Sequence, residues 1–283
     1  MKKRVAYIEI DGKRFGSQDS GLEVTFDVPY NGSNLVPVDS TFTLTNVNSN
    51  DLAQIVTNTS VFLERHRTVK CYAGYSDNVK CIFAGTVLQA NPTNIPDTII
   101  TISAQAQWEM MGKWINISYK NPKFLQLIED AAEACGLRTN IPADIRNSVL
   151  QLTAGIDYSF NGSAYDFLRQ VEQDLAIGNN TNDSLSFPIK DGILYVYWTS
   201  KLYPASIPVI NKNTGLIGIP TPTKIGINFR VLLDVSLQPL QTIRLETNRL
   251  KLYNGLYNIN SIRHHGSLRG TDWYSDIECT RVS

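Results

Sequence analysis

The chain has 283 residues, 42% apolar, 10% aromatic and 18% charged, which is enough apolar side chain for packed cores and too little charge for a disordered protein. Its 26 Lys and Arg balance 26 Asp and Glu, so no global field draws in a polyanion, and a sequence-reading DNA binder is disfavoured. At roughly 100 to 200 residues per domain, the length predicts two domains or a few closely packed ones.

The start, Met1-Lys2-Lys3-Arg4 and then Val5 to Asp11, has the basic opening of a signal peptide, but Glu9 and Asp11 break the apolar stretch and it reads as a strand. No window approaches the ~18 apolar residues of a membrane helix, so a soluble chain that is not exported by this route is expected. From residue 1 to about 110 the hydrophobic period is two. Leu22, Val24, Phe26 and Val28 alternate with Glu23, Thr25 and Asp27, placing the polar set in water or against a partner. Phe42 and Leu44 between threonines, and Ile100, Ile102, Ala104 and Ala106, repeat the pattern. Residues 69–75 and 82–90 flank the turn-like Ser76-Asp77-Asn78, and residues 49–62 carry one short helix.

Near residue 110 the period changes. Asn121 as N-cap, Pro122 at the first helical position and Gly136 just past the end predict a helix whose buried stripe is Phe124, Leu125, Ile128, Ala132 and Cys135. A second helix opens at Ser163, with Asp166 completing a capping box, and turns Phe167, Leu168, Val171 and Leu175 inward on its way to Gly178. Residues 185–189, the turn Lys190-Asp191-Gly192 and residues 193–198 read as a hairpin. Residues 199–224 hold Pro204, Pro208, Gly215, Gly218, Pro220 and Pro222, a loop-rich passage. Period two then returns at Ile243 and Leu245 and at Trp273, Ser275, Ile277 and Cys279. The region from 210 onward carries 9 basic against 5 acidic residues, which reads as a solvated mixed-charge face, with a weak contact to phosphates or an acidic protein surface the alternative.

The two β regions echo one another. Phe83-Ala84-Gly85 opens a strand, loop and strand, and so does Tyr253-Asn254-Gly255. Period-two sequences align easily, so this alone is modest support for a duplicated β module.

Sites for chemistry are scarce. The four cysteines, Cys71, Cys81, Cys135 and Cys279, form no Cys-x-x-Cys and read as free thiols, with a Cys71 to Cys81 bridge the alternative. No phosphate-binding, dinucleotide, nucleophile-elbow or zincin motif occurs. His66, His264 and His265 are the only histidines, and adjacent strand residues point to opposite faces, so the pair would not share a metal. The acidic groups Glu129, Asp130, Glu133 and Asp166, Glu172, Asp174 fall on outer helix faces. The sequons at Asn58, Asn116, Asn161, Asn179 and Asn182 read as turn and cap residues.

At the C-terminus a resemblance emerges. Residues 254–259, Ile262-Arg263-His264-His265-Gly266 and residues 269–279 resemble the closing hairpin of bacteriophage tail baseplate hub proteins, with Asn254, Gly255, Tyr257, Gly266, Gly270, Trp273 and Tyr274 as the motif positions. Residues 215–220 followed by 226–234 resemble the passage into that family's second tube domain, and the two helices and the 193–198 strand fit its middle domain in order and spacing. Ser267-Leu268 stands where an acidic residue would follow the glycine.

The resemblance implies an α+β, mostly β fold: a tube-like antiparallel β-barrel domain at 1–111, a small α/β middle domain at 112–209 and a second tube-like barrel at 210–283. It implies a structural protein of the virion, at the tail tip or baseplate after synthesis in the host bacterial cytoplasm, with no catalytic, cofactor or metal site. The implied partners are two further copies in a homotrimer, the tail tube protein, a central spike or tail-tip protein and other baseplate proteins. Phage DNA would pass without sequence-specific binding, and the chain would not insert into a membrane. Three copies of two similar domains make a pseudo-hexameric ring joining a sixfold tube to a threefold spike. Two other readings remain: a host-glycan or receptor-binding module using Trp108, Trp114 or Trp198, and a tail-associated cell-wall hydrolase pairing two of the helix carboxylates.

Overall fold

The structure is a computed structural model of the chain, and it describes residues 3–16, 21–31, 38–57, 67–93, 97–106, 112–178, 185–190, 192–198, 207–224 and 226–282. His66, Trp108, Asp191, Pro204 and the sequons at Asn58, Asn179 and Asn182 lie outside the described residues. The chain divides into two compact units, one from residues 1–30, 37–106 and 206–281, the other from residues 31–36, 107–205 and 282–283.

The first unit opens with β1 (Arg4–Ile10), β2 (Lys13–Phe15), β3 (Glu23–Asn31) and β4 (Asp39–Thr45), then α1 (Ser49–Thr57), β5 (Thr68–Tyr75), β6 (Asn78–Thr93) and β7 (Ile99–Gln105). The period of two sets the burial. Val24, Phe26 and Val28 of β3, Phe42 and Leu44 of β4 and Ile100, Ile102 and Ala104 of β7 are all buried in one core. The register stacks them, since Phe26 lies opposite Phe42 and Phe42 opposite Ile102. The short helix α1 is capped by Asn48, whose side chain accepts from the Asp51 N–H at 2.8 Å. In the β5–β6 hairpin Cys71 faces Phe83 while Tyr72 faces Cys81. The two thiols are out of register and neither is in a disulfide, so the bridge does not form.

The second unit contains β8 (Trp114–Tyr119), α2 (Phe124–Ala134), β9 (Arg138–Asn140), α3 (Ala143–Arg146), β10 (Tyr158–Ser163), α4 (Ala164–Gly178), β11 (Leu185–Ser186), β12 (Ile189–Lys190), β13 (Ile193–Tyr195) and β14 (Tyr197–Trp198). The helix expected to cap at Asn121 begins two residues later. Lys123 takes the N-cap position with extended backbone and no side-chain cap bond. Residues 121–123 are held instead by the strand-like segment 153–155: the Asn121 side chain accepts from Gly155 N–H, the Pro122 carbonyl accepts from Ala154 N–H, and Lys123 bridges to Thr153. The late start turns Leu127 and Ala131 into the core and leaves Leu125 and Cys135 half-buried. At the other end Gly136, at φ 70°, closes a Schellman motif in which Leu137 N–H donates to the Ala132 carbonyl and Gly136 N–H to that of Glu133. The cap of α4 is as read, with Asp166 N–H donating to Ser163 Oγ at 3.0 Å. The expected hairpin at 185–198 splits into two short pairs, β11 with β14 and β12 with β13, and β13 also runs parallel to β9.

The chain returns to the first unit with β15 (Val209–Ile210), β16 (Leu216–Pro222), β17 (Gly226–Leu232), β18 (Thr242–Leu245), β19 (Gly255–Ser267) and β20 (Trp273–Arg281). These strands do not form a barrel of their own. They join the N-terminal strands in one sheet of order β16-β17-β20-β19-β3-β4-β7-β6-β5-β1-β2, with β18 on β19 and β15 on β18. Among the described residues neither half closes, so the expectation of two separate β-barrels gives way to one open, almost wholly antiparallel sheet. The reason is the pairing of β19 with β3, which spends on each other two edges that barrels would have closed separately.

The halves nevertheless repeat one plan. Leaving out the small hairpin strand β2, the first half is ordered β3-β4-β7-β6-β5-β1 and the second β16-β17-β20-β19-β18-β15, the same permutation of chain order. They differ in the last strand, since β1 is antiparallel to β5 but β15 is parallel to β18. The pairing registers agree more closely than the order requires. Matching Asp39–Gln105 to Gly226–Thr280 carries the bulged residue of β6, Leu88 between Val87 and Gln89, onto the bulged residue of β19, Asn260 between Ile259 and Ser261. In this register Gly85 corresponds to Tyr257, so the sequence echo that matched Gly85 to Gly255 was displaced by two residues. A slip of two keeps every side chain on its own face, which is why the pattern concealed it.

Candidate assembly site

The motif positions of the closing hairpin gather where the C-terminal half meets β3. Trp273 is fully buried, edge-on to Phe26 with centroids 5.4 Å apart, and the Arg4 guanidinium lies 5.3 Å over its ring. Gly266 makes this contact possible: a Cβ there would lie 2.7 Å from both Phe26 Cζ and Trp273 Cε3. Gly270 N–H donates to Ser267 Oγ at 2.8 Å and its carbonyl accepts from Arg4 at 2.7 Å. Tyr274 packs its ring near His265 and under Arg230. Asn254, Gly255 and Tyr257 sit at the other end of β19. There the Asn254 side chain accepts from Thr247 N–H, Gly255 faces Leu245, and buried Tyr257 donates its hydroxyl to the Tyr253 carbonyl.

The N-terminal half supplies the matching contacts, and the sequence reading missed them. Glu23 accepts from the Ser267 hydroxyl and, with both carboxylate oxygens at 3.0 Å, from the Arg269 N–H. Asp27 grips Arg263 in a two-point ion pair that raises the guanidinium pKa. Leu268 N–H donates to the Val24 carbonyl at 2.9 Å. The signal was present in Glu23 and Asp27 on one polar face, but nothing in a single strand told a partner from solvent.

His264 and His265 point to opposite faces, as expected. His264 is buried, with Nδ1 2.8 Å from Ser275 Oγ and its ring edge-on to Tyr30. Burial, aided by the neighbouring His265, pushes its pKa down to about 4. His265 Nε2 lies 3.0 Å from Asp276. Burial pushes the Asp276 carboxyl up, but Arg230 and His265 outweigh it and hold the group below its ordinary range.

Residues 7–279 match the family described as Baseplate hub gp41. The chain belongs to that family. No curated protein matches the chain. Among solved structures the hub chain is similar to the 43 kDa tail protein of prophage MuSo2 from Shewanella oneidensis, at 12% identity, TM-score 0.59 and coverage of 99% of this chain and 97% of that one. It is also similar to a tail protein from Neisseria meningitidis MC58, at 8% identity, TM-score 0.64 and the same coverages. A third likeness is to an E. coli component of the type VI secretion system, itself structurally similar to T4 bacteriophage tail proteins gp27 and gp5, at 9% identity, TM-score 0.61 and coverage of 98% and 77%. These likenesses establish the fold.

Glu129 pairs with Arg146, Asp130 accepts from the Tyr119 hydroxyl, Asp174 accepts from the Tyr158 hydroxyl, and Asp166 accepts from the hydroxyl of the capping Ser163. Each of these acids has a local structural partner, whereas Glu172, expected on an outer helix face, is buried, since it falls one turn after Leu168 on the inward side of α4. Trp114 is exposed and donates its indole N–H to Asn161, while Trp198 is half-buried against the second unit's core. Among the described residues no group of three or more His, Cys, Asp or Glu is placed to hold a metal, and no helix is long and apolar enough to cross a membrane.

Proposed function

We propose that the chain is the structural hub of a phage tail baseplate or tail tip, in which three copies close a ring that joins a sixfold tail tube to a threefold spike or tip and leaves a bore for DNA. The observation that carries this is the repeated strand plan. A chain holding two sets of six strands in one order, with one register around the bulge, gives a trimer six nearly equivalent positions facing the tube. Each set is a tube-like module, the first within 1–111 and the second within 210–283 save for Val209 at the start of β15, whose wall is completed by its neighbours rather than by closing on itself. The 112–209 domain, with exposed Trp114, Leu152 and Ile156, contacts neighbouring baseplate or tip proteins. The motif residues Gly266, Gly270 and Trp273 hold the two modules at one fixed seam. The balanced charge suits a bore that must not hold each passing phosphate.

The test is the mass of the purified chain in solution by light scattering, followed by electron microscopy of end-on views. Three times the chain mass and a ring with a central hole support the hub. A stable monomer at micromolar concentration overturns it.

A further inference from the structure

The seam inside one copy identifies the edges that join two. Resting on the ring reading, we propose that the second half of β6 receives the edge strand β16 of a second copy, as β19 receives β3 within the chain, with Thr93 opposite Thr221.

The two longest strands, β6 and β19, are built alike. The start of β19, to Asn258, pairs with β18, and past the bulge at Asn260 that flank is taken by β3. The start of β6, to Thr86, pairs with β5. Past the bulge at Leu88, β6 keeps β7 on one side, and among the described residues no strand pairs with its other side. The β6 flank that no described strand pairs therefore corresponds to the filled flank of β19. The counterpart of β3 in the strand plan is β16, which ends the sheet, with β17 its one strand partner among the described residues.

Burial follows the same division. Ile262 and His264 of β19 are buried, whereas their register equivalents on β6, Ala90 and Pro92, are half-buried and exposed. Val24, Phe26 and Val28 of β3 are buried, whereas β16 leaves Leu216 half-buried and Ile219 exposed at 44%. Apolar side chains uncovered on an edge strand are what a partner strand covers. Gly266 lies against Phe26 and Leu268 N–H donates to the Val24 carbonyl, which sets the β19–β3 register. Carried to β6 and β16, that register brings Thr93 to Thr221. Pro92 and Pro222 then meet across the seam, where neither has a donor to lose. The same prolines keep both bare edges from pairing at random before assembly. The contact is head-to-tail, joining a first-half edge to a second-half edge, so it closes a ring rather than a twofold dimer.

The experiment places cysteines at both positions, T93C with T221C, in a C81S background, and oxidises the assembled protein before a non-reducing gel. Both threonines are exposed. Within one copy they lie seven strand spacings apart along the sheet, and a bond within one copy would leave the mass at that of the monomer, so only a bond between copies raises it. The double variant should give covalent species at two and three times the chain mass, and each single variant only monomer. Absence of these species while light scattering still reports three copies overturns the seam and leaves the ring standing; a monomeric mass overturns both. Dimers from a single variant also overturn the seam, since they require a twofold contact. Hydrogen exchange on the unmodified chain gives a second reading: residues 89–93 and 216–222 should be protected at least tenfold more in the assembly than in the diluted chain, and equal exchange counts against the seam.

Discussion

His264 provides a sharp physical test of the β3–β19 seam. Its ring is buried against Ser275 Oγ and the Tyr30 edge; burial, with His265 acting in the same direction, outweighs the upward pull of Asp234 and takes its pKa from the ordinary 6.5 to about 4. The folded value lies below the unfolded one, so between these limits the unfolded chain binds the proton and the folded chain does not. The stability contributed by neutral His264 is complete above about pH 6.5 and is lost as the pH falls toward about 4. At about 1.4 kcal/mol per pKa unit the full loss is about 3 kcal/mol, of which about 2 kcal/mol is gone by about pH 5. Urea unfolding followed by circular dichroism of the sheet, at about pH 7 and about pH 5, measures this directly. The H264Q variant keeps a hydrogen-bonding side chain for Ser275 but cannot take up the proton. It should lose less stability than the parent over that interval, by about 2 kcal/mol. Parallel pH profiles for parent and variant would refute the reasoning, since other carboxylates titrate equally in both.

Three further outcomes follow from the same geometry. G266A inserts a methyl where Phe26 and Trp273 already meet and should cost about 1–3 kcal/mol by overpacking, read as a fall in the urea midpoint; an unchanged midpoint would show that the aromatic pair is not held there. E23Q should cost more than D27N, because Glu23 serves a loop hydroxyl and a backbone N–H, whereas the Arg263–Asp27 pair is largely exposed and worth about 1 kcal/mol or less; denaturation of the two variants side by side checks the order. With a maleimide reagent under native conditions Cys81 should react first and half-buried Cys135 more slowly. Cys71 and Cys279, buried and with thiol pKa values raised by that burial, should react only after unfolding, which mass spectrometry of labelled peptides resolves.

Much of the fold was legible because its signals are local. The alternation in β3, β4, β7 and β20 predicted both the strands and their buried faces, and the Ser163–Asp166 cap and Gly136 stop predicted helix ends that depend on neighbouring residues alone. What escaped were decisions made at long range. Asn121 and Pro122 form a good helix start by themselves, but the 153–155 segment, some thirty residues away, claims their backbone. The union of the halves in one sheet turns on β3 choosing β19, with about 240 residues between them, and strand periodicity is silent on pairing partners. The motif glycines and Trp273 were visible as a pattern, while Arg4, Glu23, Phe26 and Asp27 looked like ordinary parts of a leader-like start and a strand. The repeat was legible as an echo, but period-two sequence placed it two residues out of register.

Cryo-electron microscopy of the assembled tail end, at a resolution that traces strands, tests the central claim most directly. The expected map shows three chains filling six positions, with the β3-to-β7 set and the β16-to-β20 set alternating around the axis and β19–β3 seams alternating with β6–β16 seams. Six chains in the ring, or the two sets lying at different radii, would contradict the account.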